Sequence, residues 1–289
     1  MQTSGLIQSY QTRIETFLLS YFDNYPQIPA SRLLDAIKYS MLNGGKRIRP
    51  LLVYASGQLF NAPLSQLDSA AAAIEMIHTY SLIHDDLPEM DNDDIRRGKP
   101  SCHKQFDCAT ALLAGDCLQT MAFEIIVNET YISRLPAAQT INMVKIISYA
   151  IGIAGMAGGQ SLDLMMDCNQ THLNPAETIL DIHLRKTAAL IKAAILCGAC
   201  AANATLTEHT ALNDVGELFG LAFQLQDDLL DYVDGGCNEP CNIVPHWGKQ
   251  ATQEKINECY QRACDLLHPY GQNAQPLLTI ANYLLQRTY

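Results

Sequence analysis

The sequence predicts an all-α protein folded as one large domain, and three observations carry that prediction. Apolar residues recur at spacings of three and four through 64–84, 109–127, 141–156, 177–204 and 215–232, the period of a helix with a buried face. No run alternates Val, Ile and Thr with polar residues, so no strand is expected. No stretch rich in Gly, Ser or Pro divides residues 1–289, which read as a single domain.

In chain order, residues 1–15 have no basic segment leading into an apolar core, so no secretory signal is expected and the chain is placed in the cytoplasm. Gly44-Gly45 closes the first helical region and is followed by Lys46, Arg47 and Arg49. The helix over 64–84 is apolar on most faces, as central helices of a large bundle are. The helix over 177–204 opens at Asn174-Pro175-Ala176-Glu177, a capping residue, a proline in the first turn and an acid after it. The uncharged stretch 193–207, which begins in this helix, is too short for a membrane span and reads as buried. The segment 234–249, with its glycines and prolines, reads as a loop.

Composition narrows the function. Hydrophobic residues make up 48% and charged residues 17%, a globular balance. A net charge of −11 argues against a nucleic-acid partner or an anionic membrane surface, and no stable membrane insertion is expected. An anionic small substrate stays open, because a few local cations or a bound metal reverse the sign of a site. The ten cysteines follow no framework spacing and read as reduced, small hydrophobes, Cys197 and Cys200 included.

Three clusters carry chemistry. Asp85, Asp86, Glu89, Asp91, Asp93 and Asp94 fall within ten residues, at the end of an apolar helix where Pro88 opens the backbone. Carboxylate oxygens there suit Mg²⁺, which shares its shell with water and substrate phosphates. A solvated acidic loop explains that cluster equally well. Asp227 and Asp231 stand one turn apart on one face, with Asp228 beside Asp227, in a helix otherwise rich in Leu and Phe. Carboxylates among core residues are costly unless a cation neutralises them. Lys46, Arg47 and Arg49 offer a metal-free site for a second phosphate group, although a basic helix end reads the same way. Two acidic walls facing each other across one cavity would let metal ions hold a diphosphate between them. His78 lies two turns before Asp85, where a hydrogen-bonded core histidine is the ordinary reading.

GGKRIRP, IHTYSLIHDDLPEMDNDDIRRGKPSCH, LLAGD, GGQSLDL, IHLRKTAAL and LAFQLQDDLLD occur in this order over about two thirds of the chain, from Gly44 to Asp231. Together they resemble the trans-polyprenyl diphosphate synthase family, most of all its bacterial-type farnesyl diphosphate synthases. The resemblance implies an isoprenoid-synthase bundle of helices around a central apolar cavity, usually a homodimer. It implies three Mg²⁺ ions per site, with Mn²⁺ able to substitute. Asp85 and Asp91 would bind metal on one wall, with Asp86 beside them, and Asp227 and Asp231 on the other, supported by Asp228. Arg96, Lys186, Thr187 and Gln224 would hold the allylic diphosphate, and Lys46, Arg49, His78 and Arg97 would hold isopentenyl diphosphate. It also implies that Tyr80 and Ser81, five and four residues before Asp85, floor the cavity beneath the growing tail. With the inserted Pro88-Glu89 pair, this points to a C15 product, with C20 and C10 as alternatives.

The sequence departs from the family pattern after Asp231. The family's lysine-bearing closing element corresponds to 237–244, which has no lysine before Lys249. A lost charge-assisted phosphate contact costs roughly 1–3 kcal/mol. Ala188 stands where the family has the Gly of Lys-Thr-Gly, Asp107-Cys108 replaces a common Glu-Ala, and the tail Gln286-Arg287-Thr288-Tyr289 carries one cation. The degenerate loop leaves a non-catalytic regulatory subunit as a rival reading. A terpene cyclase is disfavoured, because it has no use for an isopentenyl pocket built from Arg49, His78 and Arg97. A plain helical scaffold leaves the ordered motifs unexplained.

Overall fold

The structure is a computed structural model, and it describes residues 2–26, 29–128, 130, 135–167, 174–232 and 241–285. In chain order the helices are α1 (Gln2–Asp23), α2 (Ser31–Met41), α3 (Ile48–Gln58), α4 (Leu64–Asp85), α5 (Cys102–Gln105), α6 (Cys108–Val127), α7 (Ala137–Ile151), α8 (Met156–Asp167), α9 (Pro175–Ile182), α10 (Ala189–Ala201), α11 (Leu206–Asp231), α12 (Val244–Trp247), α13 (Lys249–Leu267) and α14 (Gln275–Leu285). A π-helical turn, His183–Ala188, joins α9 to α10, and a 3₁₀ turn, His268–Ala274, joins α13 to α14.

Helices α3, α4, α6, α10 and α11 pack around the core. Small residues permit this. Ala70 to Ala73 of α4 are all at 0% exposure, and α10 is buried on nearly every side, as an all-round apolar sequence requires. The ends follow capping chemistry. Asn174 accepts from the N–H of Ala176 ahead of Pro175, as the sequence predicts. Thr205 and Glu208 close a capping box at α11.

The predicted helices hold, with four differences. The run 141–156 is two helices, because Gly152 takes an extended conformation and stops α7. The run 177–204 contains the π turn, which side-chain periodicity alone does not distinguish from α-helix. Helix α11 begins nine residues before the predicted 215, on a polar first half. Ile95–Arg96 pairs with Lys99–Pro100 in a two-residue antiparallel hairpin, the one sheet among the described residues. Of the predicted loop 234–249, residues 234–240 lie outside the described residues, as does the tail 286–289, and α12 occupies part of the remainder.

Two stretches, Cys108–Val127 and 137–166, are long and apolar enough to cross a membrane by length and composition. The first puts Ala111, Ala114, Leu118, Ala122, Ile125 and Ile126 into the core, and the second is broken at Gly152. All the described cysteines are free thiols, and burial pushes Cys200 up to about 11, which keeps it protonated.

Candidate active site

Asp85 is the last residue of α4, and the chain then turns back on itself. The N–H of Asp91 donates to the Asp85 carbonyl at 2.9 Å, which returns Asp91 to its side. Burial raises the Asp85 carboxyl to about 6; Lys186 opposes the shift and Asp91 adds to it. Burial raises Asp91 as well. The neighbouring Asp86 does different work. It is 2% exposed and accepts two hydrogen bonds from Arg96, one of them from Nε at 2.8 Å, while Arg96 also reaches Asp93 at 2.9 Å. Asp86 thus anchors the 95–100 hairpin to the end of α4.

The hairpin turn places Arg97 next to the glycine pair. Arg97 Nη1 donates to the Gly44 carbonyl at 2.5 Å. Gly45 has φ 121°, a conformation that requires glycine, and it lies against the Arg97 guanidinium, from which a Cβ would be 2.8 Å away. The basic cluster divides from this point. Lys46 is exposed. Arg47 turns inward to Glu75 at 2.7 Å, with both side chains 1% exposed. Arg49 turns towards the cavity, and burial lowers its guanidinium to about 10 against the pull of Glu75. His78, one turn after Glu75, is held neutral by burial and by Arg49, Arg97, Arg47 and Arg96 around it. Glu75 is therefore the counter-charge for an arginine cluster with net positive charge.

The π turn supplies the next part. Lys186 Nζ meets Asp163 Oδ2 at 2.5 Å. Burial disfavours its charge, but Asp163, Asp85 and Asp91 together raise its pKa. Thr187 Oγ1 donates to Gln224 Oε1 at 2.9 Å. The backbone can come this close because of Gly159, where a Cβ would lie 2.4 Å from the Lys186 nitrogen.

On the facing helix, Gln224 Nε2 donates to Asp228 Oδ1 at 3.2 Å. Asp228 is 3% exposed, accepts from the N–H of Ile243 at 2.8 Å, and is raised to about 6 by burial. Asn242 donates to the Asp228 carbonyl, and His183 Nε2 lies 3.4 Å from Oδ2. Asp228 therefore ties the segment after α11 to the π turn. Asp227 is partly buried and its charge acts on Arg49, which links this wall to the basic cluster; Asp231 ends the helix in an exposed position. Lys249, the first lysine after Asp231, lies over the Tyr232 ring at 5.2 Å.

Arg49, His78, Tyr80, Ser81, Asp85, Lys186 and Thr187 line one cavity of about 420 Å³. A larger groove of about 810 Å³, between α7, α10 and the start of α11, contains none of the predicted site residues. Glu75, Asp163 and His183 were not singled out from the sequence. Asp163 lies in GGQSLDL, and Glu75 is an acid on an apolar helix one turn from His78; these were the signals for them.

The donor set fits a hard divalent cation. It is oxygen only: Asp85 and Asp91 are desolvated carboxylates side by side, and Asp227, partly buried, acts on Arg49 in the cavity that Asp85 also lines. Among the described residues no three His, Cys, Asp or Glu side chains form a closed cage, so phosphate and water oxygens would complete the shell.

The family model that matches is the polyprenyl synthetase model, over residues 30–238. The chain is 48% identical over 271 residues to the farnesyl diphosphate synthase of Escherichia coli, covering 88% of this chain and 89% of that one. It is 49% identical over 235 residues to the farnesyl diphosphate synthase of Haemophilus influenzae, covering 81% and 77%. Among solved structures, a geranyltransferase from Legionella pneumophila superposes with a TM-score of 0.89 at 40% identity, covering 99% of this chain and 98% of that one.

Proposed function

The chain belongs to the polyprenyl synthetase family, and from that premise we propose that it condenses isopentenyl diphosphate with dimethylallyl or geranyl diphosphate to give farnesyl diphosphate and diphosphate. One observation carries the reading furthest. Arg49 and His78 share a single cavity with Asp85, Lys186 and Thr187, which supports a site where two diphosphate substrates meet.

In this reading Lys186 and Thr187 hold the allylic diphosphate, with Gln224 orienting the Thr187 hydroxyl. Arg96 joins them by exchanging a carboxylate partner for a phosphate. Lys46, Arg49, His78 and Arg97 hold isopentenyl diphosphate. Mg²⁺, held by Asp85 and Asp91 and by Asp227 and Asp231, neutralises diphosphate charge when bound. The allylic C–O bond breaks and diphosphate leaves with the bonding pair. The isopentenyl double bond forms a bond to the freed carbon. A proton then leaves the adjacent carbon, taken up by the departed diphosphate. Lys186 is charged at the point where negative charge develops, and the apolar lining excludes water. Tyr80 and Ser81 line the same cavity as Asp85, and in this reading they floor it beneath the growing tail and limit the product to C15.

The enzyme is proposed to work in the cytoplasm as a homodimer. The test is a product assay with labelled isopentenyl diphosphate, Mg²⁺ and either allylic starter. A C15 product that disappears in the Asp85→Ala variant is expected. Folded wild-type protein that elongates neither starter refutes the assignment.

A further inference from the structure

Helix α8 carries an inference that rests on the prenyltransferase reading above. Ala157, Gln160, Ser161 and Leu164 of this helix line the cavity, at the three and four spacing of a single helical stripe. Asp163 on the same helix pairs with Lys186, and Gly159 lets the Lys186 backbone approach. Gln160 thus enters the cavity beside the residues assigned to the allylic diphosphate, and no part of that assignment falls to it.

Its amide has no structural partner. Gln160 is 9% exposed, and among the described residues neither its Oε1 nor its Nε2 has a hydrogen bond. A buried amide left unpaired costs stability. Gln224, the other glutamine near this turn, is committed at both ends: it accepts from Thr187 Oγ1 at 2.9 Å and donates to Asp228 Oδ1 at 3.2 Å. Arg49 Nε is also unpaired in the same cavity, where a diphosphate is its proposed partner. An unpaired amide in that space points to a ligand as well.

The reaction supplies one. When the allylic C–O bond breaks, the bonding pair leaves with diphosphate and positive charge spreads over the two ends of the allyl group. A carbonyl dipole in a dry cavity stabilises such a charge, and an amide with no bond to give up turns towards it without loss. The neutral substrate gains little from the same dipole, so the interaction strengthens only as the bond breaks. We propose that Gln160 is a further catalytic residue: its amide oxygen faces the allylic carbons and stabilises the cation, separately from the diphosphate contacts of Lys186 and Thr187.

The experiment uses the full chain with Mg²⁺ and compares wild type with Gln160→Leu and Gln160→Glu. Gln160→Leu keeps nearly the same volume and removes the dipole. Its melting temperature is expected to stay the same or rise, because an apolar group replaces an unpaired buried amide. Its single-turnover condensation of geranyl diphosphate with isopentenyl diphosphate should slow by about tenfold to a hundredfold, while the Kd of a non-ionising thio analogue of geranyl diphosphate changes by less than about twofold. An ammonium analogue of the geranyl cation, offered with inorganic diphosphate, should bind about tenfold more weakly. Gln160→Glu keeps an oxygen at that position and is expected to recover the ammonium affinity. A Gln160→Leu protein that keeps its single-turnover rate overturns this inference, as does one that loses the neutral and the ammonium analogue alike. A melting temperature that falls by several degrees with ammonium affinity unchanged makes the amide structural and also overturns it. A wild type that elongates neither starter instead overturns the functional reading, and this inference with it.

Discussion

Replacing Glu75 by Gln removes a buried carboxylate that acts on three arginines. Arg47 Nη1 lies 2.7 Å from Glu75 Oε1, and both side chains are 1% exposed. Arg97 Nη2 lies at 4.0 Å, and Arg49 feels the same charge. Arg47 keeps its bond to the Met41 carbonyl, which satisfies one donor but not the charge. Breaking a buried pair from one side costs about 3–5 kcal/mol, because the partner charge stays buried. For 289 residues the unfolding entropy is roughly 0.6 kcal/mol per kelvin, so the melting temperature should fall by about 5–8 °C. Urea unfolding should show the same loss in midpoint at constant slope. The double replacement Arg47→Met with Glu75→Leu should recover the part owed to Arg47 and not the part owed to Arg49 and Arg97, which still lose their counter-charge. A Glu75→Gln protein within about 1 kcal/mol of wild type would refute the reasoning, for the pair would then be screened by water that its burial excludes.

Two further outcomes are expected. His183 is buried and its pKa is lowered to about 4, chiefly by desolvation, so the unfolded chain binds the extra proton first as pH falls. Its stabilising effect is therefore complete above about pH 6.5 and is lost towards pH 4, at most about 3 kcal/mol. Urea midpoints at pH 7 and pH 5 should converge in His183→Asn, and parallel pH dependence in the two proteins would rule this out. Gly159→Ala places a Cβ 2.4 Å from the Lys186 backbone nitrogen, which cannot move without shifting the π turn. The expected cost is about 1–3 kcal/mol of stability, together with a fall in kcat in steady-state assays. Unchanged kinetics would mean that Lys186 does not depend on this contact.

Much of the protein could be read before its structure. The period of apolar residues determined an all-helical fold, because a helix with one wet face needs residues at three and four spacings whatever it packs against. The caps at Asn174 and the proline after it set a helix start through purely local chemistry. Asp85, Asp91 and Asp227 were candidates from carboxylates set at or within apolar helices, and Arg49 and Lys186 joined them through the family resemblance; of these Arg49, Asp85 and Lys186 line one cavity. The division of labour among neighbours was not legible. Asp86 and Asp228 adjoin the candidate metal-binding aspartates in sequence, yet each is buried and holds a distant segment, Asp86 the hairpin through Arg96 and Asp228 the chain at Ile243. Arg47 stands between two site cations and points into the core. Adjacent residues on a helix or turn point about 100° apart, so only the packing of the whole chain decides which of them meets substrate and which meets protein. The π turn was invisible for a related reason. One extra residue leaves the apolar pattern almost unchanged, but it rotates Lys186 and Thr187 to face Asp163 and Gln224, partners that lie 23 residues before and 37 residues after them in sequence. Local propensities determined the helices; long-range contacts, which no local pattern encodes, decided which of their side chains form the site.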